Sequence, residues 1–415
     1  MADQLFDNLV ADAKKFFRDK FNCEPTVMVA APGRVNLIGE HTDYNGGYVF
    51  PMAIERYTVI AATPTDSDKA TIWTKDCGKM VRTVAGDFTL SADVKPGPEK
   101  DVDWASYVQG TISCCLRKGA TLKSGFNAAI VSNVPLGGGL SSSASLEVSV
   151  ATLIEELGGH KFQGSEKPLL CVDAEHEYAH MPCGIMDQFI SALGQKDCAM
   201  LLDCLSEKPE MVPMNDPTVS VLITNSNVKH ELTGSEYPER RASCKAVAEA
   251  LGRKLLREVS MDELLESKDK ILAMEIEEKS GDSSKVISGE TLFKRARHAV
   301  GEDVRTLKMK EALIAGDWAT VGEQMYASHD SLRDDYGVSC VEIDALVEIA
   351  RSIGPDGGVI GSRITGGGFG GCTVTLVKTD KADEIAKKIA QEYKTRVGKD
   401  ATIFVTRPAQ GAFVL

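Results

Sequence analysis

Between Gly33 and Gly47 the chain reads GRVNLIGEHTDYNGG, setting Arg34, Glu40, His41 and Asp43 among glycines. Such a run suits a turn that shows polar groups to a small polyhydroxylated molecule. Carboxylates accept hydrogen bonds from hydroxyls, and imidazole donates or accepts. A site that pairs its polar groups with hydroxyls rejects ligands lacking them by up to ~10⁴-fold. A solvated charged loop would explain the same composition. A second stretch, LGGGLSSSAS from Leu136 to Ser145, joins a strand-like run to a helix-like one. The first turn of a helix leaves N–H groups unpaired and carries partial positive charge. Gly137 and Gly139 let backbone approach a ligand closely, and an anion pocket for phosphate results. Ser141, Ser142 and Ser143 can cap the helix, donate to phosphate oxygens or ligate Mg²⁺. A serine-capped helix after a flexible turn is the plain alternative. Three serines at such a junction favour phosphate.

No Gly-Lys-Ser/Thr follows, so this is not a Walker A loop. The His-Arg-Asp and Asp-Phe-Gly signatures of protein kinases are absent as well. Gly366, Gly368 and Gly371 fit the dinucleotide fingerprint, but that pattern must open a helix. Here a β-rich run, Cys372 to Val377, follows, which argues against NAD.

These residues need elements to hold them. Val27 to Ala30 is expected as a short strand leading into a turn at Gly33, with Val49 to Ala62 and Phe126 to Val134 as further strands. Leu146, Val150, Leu153 and Leu157 recur at helical spacing, and Gly158-Gly159 supplies a C-terminal cap. Further helices are expected over 167–181 and from Asp187. Val219 to Thr224 alternates like a strand after the turn Asn215-Asp216-Pro217, which divides the chain into domains 1–215 and 216–415. In the charged region 266–290, the segment around Ser280 to Ser284 reads as a loose surface loop. Near the end, Cys372 to Val377 is a strand, 381–397 a helix with Ile385, Ile389 and Tyr393 on one face, and 401–406 a strand. Without a regular βαβ rhythm, the class is α+β.

At roughly 150 residues per domain, 415 residues suggest two or three domains. A net charge of −13 speaks against a nucleic-acid surface. Eleven scattered cysteines suit reduced thiols in a cytoplasmic protein better than a disulfide scaffold. No apolar run approaches the ~18 residues of a membrane span. Asp3, Asp7, Asp12 and Asp19 do not suit a signal peptide. The first 25 residues instead predict an amphipathic helix with Leu5, Leu9, Phe16 and Phe17 on its apolar face.

With RITGGGFGGC from Arg363 to Cys372, three segments stand in line. They resemble, in order and spacing, the three motifs of the GHMP small-molecule kinases. The first resembles the galactokinase signature, and CGIMDQ (Cys183 to Gln188) and SEYP (Ser235 to Pro238) are similar to galactokinase segments. The resemblance implies a two-lobed α+β fold: an N-terminal lobe of the ribosomal-protein S5 type, a C-terminal ferredoxin-like lobe, and an active site between them. It implies transfer of the γ-phosphoryl group of ATP to the anomeric hydroxyl of galactose, with Mg²⁺; a monomer is expected, with an oligomer left open, and neither nucleic acid nor membrane is expected as a partner.

Asp187 matches the family's catalytic base and Arg34 the arginine facing it, which would stabilise charge on the moving phosphoryl group. By itself Asp187 reads more readily as a helix cap than as a base, and Arg34 can be read as a structural salt bridge. Glu40, His41 and Asp43 match sugar-hydroxyl ligands, with Gly184 and Tyr237 lining the same sugar. Gly137, Gly139, Ser141, Ser142 and Ser143 match the nucleotide loop. Ser143 and Glu175 match the Mg²⁺ pair; a hydroxyl plus one carboxylate is typical of magnesium. Trp104 and Tyr107 match adenine-pocket aromatics, and Gly366 to Gly371 a backbone wall beside phosphates and sugar. Two other readings share the scaffold: a galactose-sensing regulator without catalysis, and a sibling kinase for N-acetylgalactosamine or mevalonate. The unbroken serine loop favours catalysis, and Glu40-His41-Thr42-Asp43 favours unmodified galactose.

Overall fold

The computed structural model describes residues 2–75, 84–229, 236–280 and 283–415. In chain order, helix α1 (Ala2–Phe21) precedes strands β1 (Val27–Asn36), β2 (Tyr48–Val49), β3 (Pro51–Pro64), β4 (Lys69–Thr74) and β5 (Val84–Thr89). Next come α2 (Trp104–Arg117), β6 (Phe126–Ser132), α3 (Ser142–Gly158), α4 (Glu166–Tyr178) and α5 (Met186–Leu193). Strands β7 (Cys198–Asp203), β8 (Lys208–Pro213) and β9 (Val219–Lys229) lead to α6 (Glu236–Ala250), α7 (Met261–Glu266) and α8 (Lys268–Leu272). Then follow β10 (Glu275–Ser280), β11 (Ser283–Ser288), α9 (Gly289–Ala315), α10 (Trp318–Ser331) and α11 (Val341–Gly357). The chain closes with β12 (Val359–Thr365), β13 (Gly370–Lys378), α12 (Ala382–Val397), β14 (Thr402–Thr406) and β15 (Phe413–Val414).

Two compact units form, neither contiguous in sequence. One comprises Met1–Arg34, Met52–Cys198 and Pro408–Leu415; the other comprises Val35–Pro51 and Ala199–Arg407. A single cut at 215/216 therefore does not describe the contacts: the segment after Arg34 packs with the second unit, and the C-terminal strand with the first.

In the first unit the sheet runs β15-β1-β3-β6-β4-β5, with β4 and β6 parallel and β3 and β6 antiparallel. Its core gathers Val29, Ile60, Phe126, Ile130, Val150, Leu153 and Leu170. Helix α1 buries Leu9, Ala13, Phe16 and Phe17, whereas Leu5 is exposed, contrary to expectation. In that turn it is the adjacent Phe6 that packs inward, against Tyr57 and Phe413, which leaves Leu5 facing outward. Helix α3 buries Val150 and Leu153 from the predicted stripe and ends at Gly159, whose φ of 66° gives the left-handed cap. No turn occurs at Gly33, which lies within β1. A Cβ there would stand 2.7 Å from the Leu140 carbonyl and 2.8 Å from Val134. Gly33 thus serves close packing against the glycine-serine turn. The chain turns later, at Gly39 (φ 90°).

The second unit has a four-stranded antiparallel sheet, β12-β13-β9-β14, and a three-stranded one, β2-β7-β8. Leu222, Ile364, Leu292, Ala296, Leu346, Ile385, Ile389 and Tyr393 belong to its core. Of the expected loop around Ser280 to Ser284, residues 281 and 282 lie outside the described residues, and the residues flanking them are strand instead: β10 pairs with β11 through Lys279↔Ser284 and Ser280↔Ser283. The two strands are mostly of charged and hydroxyl residues, with too few apolar ones to announce a strand. No helix among the described residues is long and apolar enough to cross a membrane. The cysteines described, from Cys23 to Cys372, are free thiols.

Candidate active site

In the first unit the glycine-serine turn closes on Asp187. Arg34 projects from β1 and grips both oxygens of that carboxylate: Nε donates to Oδ1 at 2.8 Å and Nη2 to Oδ2 at 3.0 Å. Two parallel N–H···O bonds fix orientation as well as charge. Arg34 Nη1 donates to the Gly139 carbonyl at 2.5 Å, and the Arg34 backbone N–H to the Leu140 carbonyl at 3.1 Å. Ser141 donates to Asp187 Oδ2 at 2.5 Å. Ser141 precedes α3 in the left-handed region (φ 60°, ψ 51°) and makes no cap hydrogen bond. A non-glycine residue there is uncommon, and the strain turns its hydroxyl to the carboxylate rather than to the helix. Gly137 and Gly139 also have positive φ, 69° and 70°. The arginine side chain is 6% exposed and the aspartate 28%, so the pair is anchored inside and open at its acid end. Gly184 lies buried in the loop before α5, and Asp187 stands in that helix's first turn.

Ser143, at the start of α3, hydrogen-bonds Glu175 of α4. Gln188 of α5 donates from one amide nitrogen to Glu175 at 2.6 Å and to Glu147 of α3 at 3.1 Å. Burial, then the nearby Asp187 charge, pushes Glu175 up to about 7. Burial, then the Glu175 charge, raises fully buried Glu147 well above the carboxylate range. Tyr107 faces this cluster, its phenol raised by burial and by the charges of Glu175 and Glu147. Trp104 packs edge-on against Phe88 (5.6 Å between centroids) at the border of the core.

In the second unit Glu40 is a hub. Its carboxylate accepts from Asn36 Nδ2 (2.8 Å), Arg363 Nη1 (3.0 Å) and the Gly366 N–H (2.5 Å). Arg363 is fully buried and also donates to the Asn36 carbonyl and to Ser328. Gly366 to Gly371 form the hairpin turn between β12 and β13, with positive φ at Gly366, Gly368, Gly370 and Gly371. His41, itself at φ 63°, meets the Tyr44 hydroxyl through Nδ1 at 2.8 Å, and Tyr44 meets Tyr336 at 2.6 Å. Burial lowers His41 to about 3, so its imidazole is neutral. Half-buried Asp43 accepts from the Tyr44 N–H. Tyr237 lies in α6, and its side chain is outside the described residues.

Residues 15–64 match the galactokinase galactose-binding signature, 106–195 the GHMP kinase N-terminal domain and 309–395 the GHMP kinase C-terminal domain. Human galactokinase is 46% identical over 98% of this chain and 97% of its own length. The chain belongs to the galactokinase family. Like other members it is a GHMP kinase built from the two domains of that fold. A galactokinase from Lactococcus lactis, solved in complex with galactose, superposes with a TM-score of 0.86 at 35% identity, covering 98% of this chain and all of that one. The Methanococcus jannaschii mevalonate kinase, 20% identical, shares the fold (TM-score 0.62, 92% of this chain and 98% of that one).

In this galactokinase-family chain several residues within each unit hold the candidate site residues in place with little signal in the sequence. Glu147, Gln188, Glu302 and His298 each sit on helices where a lone polar residue reads as solvent-facing. Gln188 had one faint cue, its place beside Asp187. Arg363 had another, as the first residue of the third motif.

Proposed function

We infer that this chain transfers the γ-phosphoryl group of ATP to the anomeric hydroxyl of galactose, giving galactose 1-phosphate and ADP. One observation carries the reading: a carboxylate gripped by Arg34 and Ser141 at the edge of a glycine-walled turn. The sugar's 1-hydroxyl oxygen bonds to the γ-phosphorus, the bond from phosphorus to the β–γ bridging oxygen breaks, and ADP leaves with that electron pair. Asp187 accepts the hydroxyl proton. Both of its oxygens already accept from Arg34, which fixes the direction of the carboxylate. Its main contribution is then to hold the nucleophile in line, while Arg34 offsets charge on the transferring group. Glu40, His41, Asp43, Gly184 and Tyr237 are the proposed sugar ligands, and Gly137 to Ser143 the phosphate cradle. Trp104 and Tyr107 are the proposed adenine-side aromatics; the packing of Tyr107 toward Glu175 supports a position nearer the phosphates.

Ser143 and Glu175 fit a magnesium ion, which would supply charge neutralisation to the phosphates. They offer a hydroxyl and a carboxylate in contact, in an acidic pocket where Glu147 Oε1 and Gln188 Oε1 are buried without partners. A hydroxyl and one carboxylate suit an ion that keeps water and phosphate ligands. Ser143→Ala is expected to raise the Mg²⁺ concentration for half-maximal rate several-fold; an unchanged titration removes Ser143 from the metal. The free thiols among the described residues suit the reducing cytoplasm, where we place the enzyme.

The direct test is ADP release across a sugar panel. Galactose should turn over at least about a hundredfold faster than glucose, its 4-epimer, because a hydroxyl that misses its partner leaves buried polar atoms unpaired. Equal turnover of both sugars removes the assignment.

A further inference from the structure

Helix α9 holds two residues that the proposed chemistry does not use, His298 and Glu302, both buried. They are four apart, so they share one face of the helix. Both reach the backbone around Glu40. Glu302 Oε1 accepts from the Gly39 N–H at 3.0 Å and lies 3.4 Å from the Glu40 nitrogen. His298 Nε2 stands 3.0 Å from the Glu40 carbonyl. A carbonyl only accepts, so Nε2 carries the proton, and Nδ1 accepts from Ser331 at 2.9 Å. One turn further on, Thr306 stands where a Cβ on Gly39 would come within 3.2 Å.

The peptides on either side of Glu40 are therefore held from α9, while its carboxylate is held by Asn36, Arg363 and Gly366. The flanking residues need such a hold. Gly39 has φ 90° and His41 φ 63°, and a non-glycine residue in that region persists only where its surroundings over-determine it. Plain helix-to-loop packing would be served by apolar side chains, since burying an ionised carboxylate is costly. Glu302 is nonetheless retained, balanced by Arg305 Nε at 2.7 Å and by Ser328.

We propose that His298 and Glu302 are positioning residues for sugar recognition: they fix the backbone of Glu40, and so the direction in which Glu40 and His41 present polar atoms to a hexose. This rests on the galactokinase reading above. The test is steady-state kinetics in galactose and in ATP, with galactose binding measured alone by calorimetry. Glu302→Leu, which removes the acceptor, should raise the KM for galactose and its dissociation constant about tenfold or more while the KM for ATP stays within about twofold, the loss expected for hydrogen bonds to a charged group. Glu302→Gln keeps an acceptor of the same shape and should restore most of the affinity. His298→Asn, which shortens the donor, should act in the same direction and decides the matter if Glu302→Leu does not fold. Galactose affinity within about twofold of wild type in the folded variants, or equal losses for galactose and ATP, overturns the clamp. A wild-type protein that binds galactose but releases no ADP strikes instead at the kinase reading.

Discussion

Asp187→Ala should lose turnover by about 10³- to 10⁴-fold, the range for removing a positioned acid–base group with its electrostatic partner. The protein should still fold. Asp187 stands in the first turn of α5 and is partly open to solvent, and Arg34 keeps its bond to the Gly139 carbonyl. The cost in stability is then about 1–3 kcal/mol, mostly from leaving a largely buried guanidinium without its anion. Galactose binding, measured by calorimetry, should largely survive, because Glu40 and His41 take their hydrogen bonds elsewhere. Asp187→Asn separates the two parts of the role: it keeps an acceptor for Arg34 but cannot take a proton. If the asparagine variant retains a tenth or more of the rate, alignment outweighs proton abstraction. A variant that fails to melt cooperatively would mean that Asp187 is a structural cap.

Arg363→Met should be the most destabilising single change in the second unit. Arg363 is fully buried and Glu40 is 3% exposed. Removing one partner of a buried ion pair costs about 3–5 kcal/mol, because the other charge stays in the interior unpaired. Guanidinium unfolding should show that loss in its midpoint, with little change in slope. Arg363→Lys should recover only part of it: an ammonium cannot bridge Ser328, the Asn36 carbonyl and Glu40 from one rigid fork. Adding Glu40→Gln to Arg363→Met should return some of the stability, since the stranded charge is gone. A double mutant as unstable as the sum of the two singles would show that the pair does not interact.

The glycine-serine turn and the helix after it were legible from local chemistry. A strand, three glycines, three serines and an apolar stripe specify a strand-to-helix turn between Phe126 and Leu157. The stripe holds at Val150 and Leu153, and the cap holds at Gly159. The run from Arg34 to Asp43 showed its polar character equally well, and the buried Glu40 and His41 keep it. Gly33 was misread because glycine permits both a sharp turn and a close approach, and only the neighbour across the gap, the Leu140 carbonyl, decides which. The β10–β11 pair escaped because its apolar residues are few, Ile276 paired with Ile287 and Val286 beside it, among charged and hydroxyl residues, too sparse for a strand period to show.

By itself, the sequence determined which side chains carry the donors and acceptors that could meet a hydroxylated ligand or a phosphate, since that chemistry belongs to each residue wherever it lies. Tertiary structure alone decided how they are aimed. Arg34 meets Asp187 across 153 positions, Glu40 meets Arg363 across 323, and Glu302 holds Gly39 across 263. Helical and strand periods tell which face of an element turns inward, but they carry no record of the partner it will find there. A buried Glu302 and an exposed one therefore look alike until the chain has folded.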